Sequence, residues 1–152
     1  SPNAPLDNNG NIRESVLRAR ERGIVFDLGH GAGSLSFEVS RSMLEKNFFP
    51  DTLSSDVHKL SINGPAYDLL VTMSKFLNLG LPLNKVIEAS TSRPAQVIGR
   101  SDIGNLREGS KADALIFEIK DGNFKYTDVK GETFIGKKKI EIDKIIVGGK
   151  IW

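Results

Sequence analysis

The sequence has no cysteine, a single tryptophan, two tyrosines and only two histidines in 152 residues. Without cysteine there can be no disulfide, no thiol nucleophile and no zinc finger. No apolar run approaches the roughly 18 residues of a membrane span, so no membrane partner is expected. Charge of neither sign dominates. The 21 basic and 19 acidic side chains leave a net charge of +2, which points to no nucleic-acid partner. The one basic run, Lys137-Lys138-Lys139, reads as a solvated turn. The opening Ser1-Pro2-Asn3-Ala4-Pro5 has neither the charged nor the apolar region of a signal peptide. It also lacks an initiator methionine, which suggests a processed, truncated or engineered start; the expected location is the cytoplasm.

What is present is ordinary for a soluble globular chain, with 39% apolar and 26% charged residues. The length suffices for one domain with a core. It is too short for a complete (β/α)8 barrel, which takes about 250 residues.

The pattern changes along the chain. Residues 1–10 are rich in Pro, Asn and Gly and read as a loop. Ile12, Val16, Leu17 and Ala19 recur at helical spacing up to Gly23, and Ile24 to Leu28 is a short apolar run of the buried parallel-strand type. A second helix is expected over 37–46 and a second strand over 52–55. The spacing predicts a third helix over 66–79, with Tyr67, Leu70, Met73 and Leu77 on one face. Asn84 is the expected N-cap of a short helix, and Pro94 suits the first turn of another that Gly99 ends. From Gly104 onward the sequence reads as short strands at 114–119, 124–129, 133–135, 140–142 and 144–147, separated by Gly and Asp turns. The tail from Val147 to Trp152 reads as a hairpin, with Trp152 capping an apolar face. The expected division is therefore residues 1–103, of α/β texture, and 104–152, of small β texture.

Helices alternating with short apolar strands imply a parallel sheet, in which ligands gather at strand C-termini. His30 and Asp56 fall at two such ends, 26 positions apart. That is about one strand-to-strand repeat, so they are expected on adjacent strands facing one crevice. Asp56 on its own can be a catalytic carboxylate or a turn aspartate. His30 lies between two glycines, where the ring could approach a ligand closely, or it could tie down its loop. Gly31-Ala32-Gly33-Ser34 precedes a helix and could bind a small anion through its N–H groups, or be a plain tight turn.

Five segments in order resemble the amidohydrolase superfamily, in its deacetylase and dihydroorotase-like branch. Arg22 to Gly31 looks like the seventh barrel strand of that branch, and Pro50 to Asp56 like its eighth, ending in the family's aspartate. Asn63-Gly64-Pro65 resembles the loop that follows. Thr91-Ser92-Arg93-Pro94-Ala95 matches a T-x-x-P-A element, and Ile103 to Asp113 the entry to a small β-sandwich.

The resemblance implies the C-terminal part of a (β/α)8 TIM-like barrel, strands 7 and 8 with their helices, followed by a β-sandwich segment. It implies one or two divalent metals, normally zinc, that activate water to hydrolyse an amide or related C–N bond. Asp56 would be both metal ligand and catalytic carboxylate. His30, Gly31, Gly64 and Pro65 would contact the substrate, a small-molecule amide. His58 would serve the loop rather than the metal, and Asp113 would make a structural hydrogen bond at the sandwich entry. The other ligands, including a His-x-His that is found nowhere here, would come from an N-terminal half of the same enzyme, without which the chain should be inactive. Three further expectations stand beside these. One is a non-catalytic anion-binding module at Gly31–Ser34. Another is a self-contained metal site of His30, Asp56 and His58. The last is homo-oligomer formation through unpaired strand edges.

Overall fold

The computed structural model describes residues 4–152. The first three residues of the expected N-terminal loop lie outside the described part. The rest of that loop is a turn closed by a Leu6–Ile12 bridge. Helix α1 (Glu14–Glu21) ends on Gly23, whose φ of +84° suits glycine, and Ile24 N–H returns to Ala19 O.

Strands β1 (Asp27–Gly29) and β2 (Thr52–Ser54) pair in parallel, Asp27 opposite Thr52 and Gly29 opposite Ser54, with α2 (Phe37–Glu45) crossing between them. The Asp27 carboxylate accepts from the hydroxyls of Thr52 and Ser54, both at 2.6 Å, which fixes this register. The first strand starts later than the apolar run suggests. Ile24 and Val25 precede it and stay partly open to solvent, because among the described residues β1 has a neighbour on one side only.

Helix α3 (Leu69–Asn78) begins three residues later than its apolar spacing predicts. Tyr67 is left-handed at φ +59° and Asp68 is extended, so the helix cannot start before Leu69, and Asp68 caps it by accepting Val71 N–H at 2.7 Å. Tyr67 is therefore off the packed helical face: it is exposed, with its ring over Gly64. Helix α4 (Leu83–Ser90) starts one residue ahead of the expected cap, with Pro82 rather than Asn84 at the N-cap position. Pro94 sits in the first turn of α5 (Ser92–Val97), as expected. Gly104 packs on this helix so closely that a Cβ there would stand 2.5 Å from Thr91 O and 2.8 Å from Ala95 Cβ. The T-x-x-P-A element and the following glycine motif are thus two sides of one contact.

The β region is two long strands rather than five short ones. Strand β3 (Ala114–Thr127) pairs antiparallel with β4 (Thr133–Val147), and β5 (Lys150–Ile151) adds the expected tail hairpin. The Asp121-Gly122 step that reads as a turn is a register shift inside a continuous ladder. Gly136 is no turn either. It lies in β4, where a Cβ would meet the Tyr126 ring at 2.6 Å and Asn78 at 2.8 Å. Trp152 caps no apolar face and is exposed.

The core joins both textures. Leu35, Phe37, Leu53, Met73, Phe76, Leu81, Val86 and Ala89 pack with Tyr126 and Ile140 from the β hairpin. Polar side chains of α3 dock onto the same hairpin. Ser74 Oγ accepts Ile140 N–H, and Asn78 Oδ1 accepts the N–H groups of Lys137 and Lys138.

Candidate active site at the ends of the parallel strands

The parallel ladder runs past the two strands. His30 N–H donates to Ser54 O at 3.1 Å, and Gly31 N–H to Ser55 O at 3.0 Å. This sets the loop after β1 directly beside Asp56. The chain then turns sharply, with Asp56 at φ +46° and Gly31 at φ +50°. A Cβ on Gly31 would lie 2.4 Å from Asp56 Oδ2, and one on Gly29 would lie 3.3 Å from Asp56 Cβ. The Asp56 side chain is thus laid across a floor of bare glycine backbone. It is exposed, and its carboxylate accepts no hydrogen bond from the described residues. A free carboxylate at a strand C-terminus is chemically fit to ligate a cation or take a proton.

The two strand ends adjoin as expected, but their side chains go to different surroundings. His30 is fully buried. Its Nδ1 lies 3.0 Å from Gly31 O, and its Nε2 lies 2.6 Å from Lys75 Nζ. Both ring nitrogens are engaged inside the chain, so in this structure the ring offers neither to open space. Burial, and next to it the Lys75 charge, hold the imidazole below its ordinary 6.5. Lys75, on α3, is also buried, and its Nζ donates to Pro65 O at 2.6 Å and Thr127 O at 2.8 Å. Burial pushes this amine down to about 8, against the pull of the Asp128 carboxylate.

Asp128 completes the support. It is buried at the β3–β4 turn. Its Oδ2 accepts Phe37 N–H at 2.9 Å, while Oδ1 accepts Lys130 and Glu132 N–H at 2.8 and 2.9 Å. The first N–H of α2 therefore already faces a carboxylate of the chain itself. In the Gly31–Ser34 turn, expected to offer a foreign anion its N–H groups, those of Gly31 and Ser34 are taken by Ser55 O and His30 O.

The remaining expected residues are also placed. Gly64, at φ +117° under the Tyr67 ring, and Pro65 lie in the loop after β2, where Ser61 Oγ donates to Asp56 O. His58 is exposed, with Nδ1 accepting Leu60 N–H at 3.2 Å in a turn of that loop. Asp113 accepts Gly148 N–H at 2.7 Å, the structural bond expected of it. The self-contained metal site is overturned. Among the described residues no three His, Asp or Glu side chains converge on a cation-sized space. His30 faces Lys75, and His58 faces its own turn.

A cleft of about 490 Å³ lies elsewhere, between α5 and the turn after it, lined by Arg93, Arg100 and Arg107 among others. Two of these guanidiniums are already engaged, Arg100 by Asp102 and Arg93 by Gln96 and Asp51. The glycine-floored carboxylate is the better candidate for chemistry.

Residues 34–152 match the amidohydrolase family. The chain belongs to that family. It is 37% identical over 133 residues to a deacetylase of Brucella anthropi, covering 88% of this chain and 33% of the relative. A crystal structure of an adenine deaminase superposes on all of this chain with a TM-score of 0.95 at 34% identity, over 42% of that protein. A dihydroorotase structure gives a TM-score of 0.82 at 34% identity, covering 91% of this chain and 37% of that protein. The chain spans about a third of the length of the curated relatives it matches. No described helix is long and apolar enough to cross a membrane.

Lys75 and Asp128 are the site-supporting residues that sequence reasoning missed. The available signal was a lysine inside a helix turn whose neighbours Met73 and Phe76 are core residues.

Proposed function

We propose that this chain is the C-terminal part of a metal-dependent amidohydrolase that hydrolyses an amide or related C–N bond of a small molecule, of deacetylase or cyclic amidase type. In this reading β1 and β2 are the last two strands of a barrel, and the β3–β4–β5 sheet belongs to a β-sandwich. The observation that carries it is the exposed Asp56 carboxylate, laid on glycine backbone at a parallel-strand C-terminus and accepting no hydrogen bond from the described residues.

Asp56 fits one ligand position of a divalent metal, normally zinc. A zinc site needs at least three protein ligands, so the others would come from an N-terminal half of the same enzyme. When bound, the metal supplies Lewis-acid polarisation of the carbonyl and a more acidic water. Asp56 accepts the proton of the attacking water and returns it to the leaving nitrogen. Gly31, having no side chain, leaves room for that carboxylate, while Gly64 and Pro65 border the substrate. His30 acts beneath the site, with its ring holding Gly31 O, so the substrate meets the loop rather than the imidazole. The anion-module reading loses ground to Asp128, whose carboxylate already stands at Phe37 N–H. A cytoplasmic enzyme, with oligomer contacts along its open strand edges, is the accompanying expectation.

The test is turnover of N-acyl amino acids by the complete polypeptide loaded with zinc or manganese. Asp56→Asn should lower kcat by about 100-fold or more and reduce the bound metal. Near-normal turnover would remove Asp56 from the chemistry.

A further inference from the structure

We propose that Lys75 is a positioning residue of this site: its ammonium sets the tautomer of His30, which holds the Gly31 carbonyl and so the backbone on which Asp56 lies. The inference rests on the reading of Asp56 given above.

Counting donors fixes the arrangement. An ammonium has three N–H donors and no acceptor. Around Lys75 Nζ stand three acceptors, Pro65 O at 2.6 Å, Thr127 O at 2.8 Å and His30 Nε2 at 2.6 Å. All three protons are used only if Nε2 is an unprotonated lone pair. The imidazole proton must then be on Nδ1, which stands 3.0 Å from Gly31 O and donates to it. The other neutral tautomer would aim an N–H at the ammonium and a lone pair at the Gly31 carbonyl oxygen. A cationic ring would put a second buried positive charge beside the first. Moving the shared proton from Nζ to Nε2 would make the same contacts, but the amine, at about 8, keeps it in preference to an imidazole held below 6.5. With the lysine an ammonium, one proton arrangement satisfies every polar atom in this dry cluster.

Four segments meet at this nitrogen: α3, the loop after β1, the loop after β2 and the end of β3. Lys75 and His30 are both essentially inaccessible, so water cannot substitute for a lost partner. The buried Asp128 carboxylate and the Phe37 ring, 5.9 Å from Nζ, offset the charge. From Nζ the line of contacts runs through the imidazole to Gly31, whose Cα has no room for a methyl because Asp56 Oδ2 is there. Lys75 touches neither substrate nor metal in this arrangement; it acts through His30.

The experiment uses the complete polypeptide with ¹⁵N-labelled histidine, His30 being assigned by its loss in His30→Gln. At pH 7 the expected spectrum is a neutral imidazole protonated at Nδ1. A ring protonated at Nε2, or at both nitrogens, overturns the proposal without any lysine variant. Lys75→Met should abolish that signature and lower kcat at least about tenfold, the usual scale for removing a residue that orients a ligand, with KM changed less than kcat. Turnover within twofold of wild type in Lys75→Met, with Asp56→Asn inactive, would sink the positioning role while leaving the site reading intact. Full activity in Asp56→Asn would instead sink the site reading, and the positioning role with it. Should Lys75→Met fail to fold, the wild-type spectrum alone decides.

Discussion

Gly31 and Asp56 are in such contact that a methyl group on the first would occupy the space of the second's carboxylate, with 2.4 Å between the added Cβ and Oδ2. Gly31→Ala therefore forces the carboxylate to swing away, and it also places alanine at φ +50°, a strain of about 1 kcal/mol. We expect a larger loss of turnover than of stability in the complete enzyme. Paired urea denaturation and kinetic measurements would check this; a variant with wild-type kcat would show that the carboxylate needs no fixed seat.

Asp128 should matter to stability far beyond its own turn. Asp128→Ala leaves three N–H groups without their acceptor, one of them the buried N–H of Phe37. A cost of about 3 kcal/mol is expected. Asp128→Asn, which keeps one carbonyl oxygen, should fall between. Chemical denaturation of the three proteins should give that order.

The Lys75 amine gives stability a defined pH dependence. Its folded value is about 8 against an ordinary 10.5, so between these values the unfolded chain binds more protons. Stability then rises with pH across this window, and the buried cation is a cost below it. The difference in unfolding free energy between wild type and Lys75→Met should grow from pH 8 to 10.5 in favour of wild type, and be flat just below pH 8. His30, held below 6.5 by burial and then by Lys75, has the same sign. As pH falls below 6.5 the unfolded chain takes the proton first and stability drops. His30→Gln should remove that acid limb.

Asn78 joins α3 to β4 through both ends of its amide, donating to Lys138 O at 2.6 Å and accepting from two backbone N–H groups. Asn78→Ala should cost about 1–2 kcal/mol, because these partners lie near the surface and water can replace part of what is lost. Hydrogen exchange should speed up at Lys137 and Lys138 before it does in α3. Unchanged protection there would mean that the ladder with β3 alone holds this stretch.

Much of this organisation is written locally and can be read locally. The helices follow from apolar spacing, the parallel pair from short apolar runs between helices, and the terminal hairpin from Gly148-Gly149. What escaped is whatever depends on a partner far along the chain. Gly136 reads as a turn until Asn78 and the Tyr126 ring are seen against it. Lys75 draws no notice in the sequence because its partners include backbone carbonyls 10 and 52 residues away, and carbonyls leave no trace in a sequence. His30 and Asp56 sit at adjoining strand ends, as their separation suggested. Their divergence comes from the positive φ at Gly31 and Asp56, where strand alternation no longer says which way a side chain points.

The bond between Asp128 and Phe37 spans 91 residues, and it gives the molecule an order of assembly. A chain leaving the ribosome presents β1, α2 and β2 long before the β3–β4 turn exists. Until Asp128 has emerged, the N-terminus of α2 lacks its acceptor, and until Thr127 has, Lys75 lacks one of its own. The loop under Asp56 thus sets late, after its own strands and helix are already made, and nascent chains arrested before the turn should carry that loop open to protease.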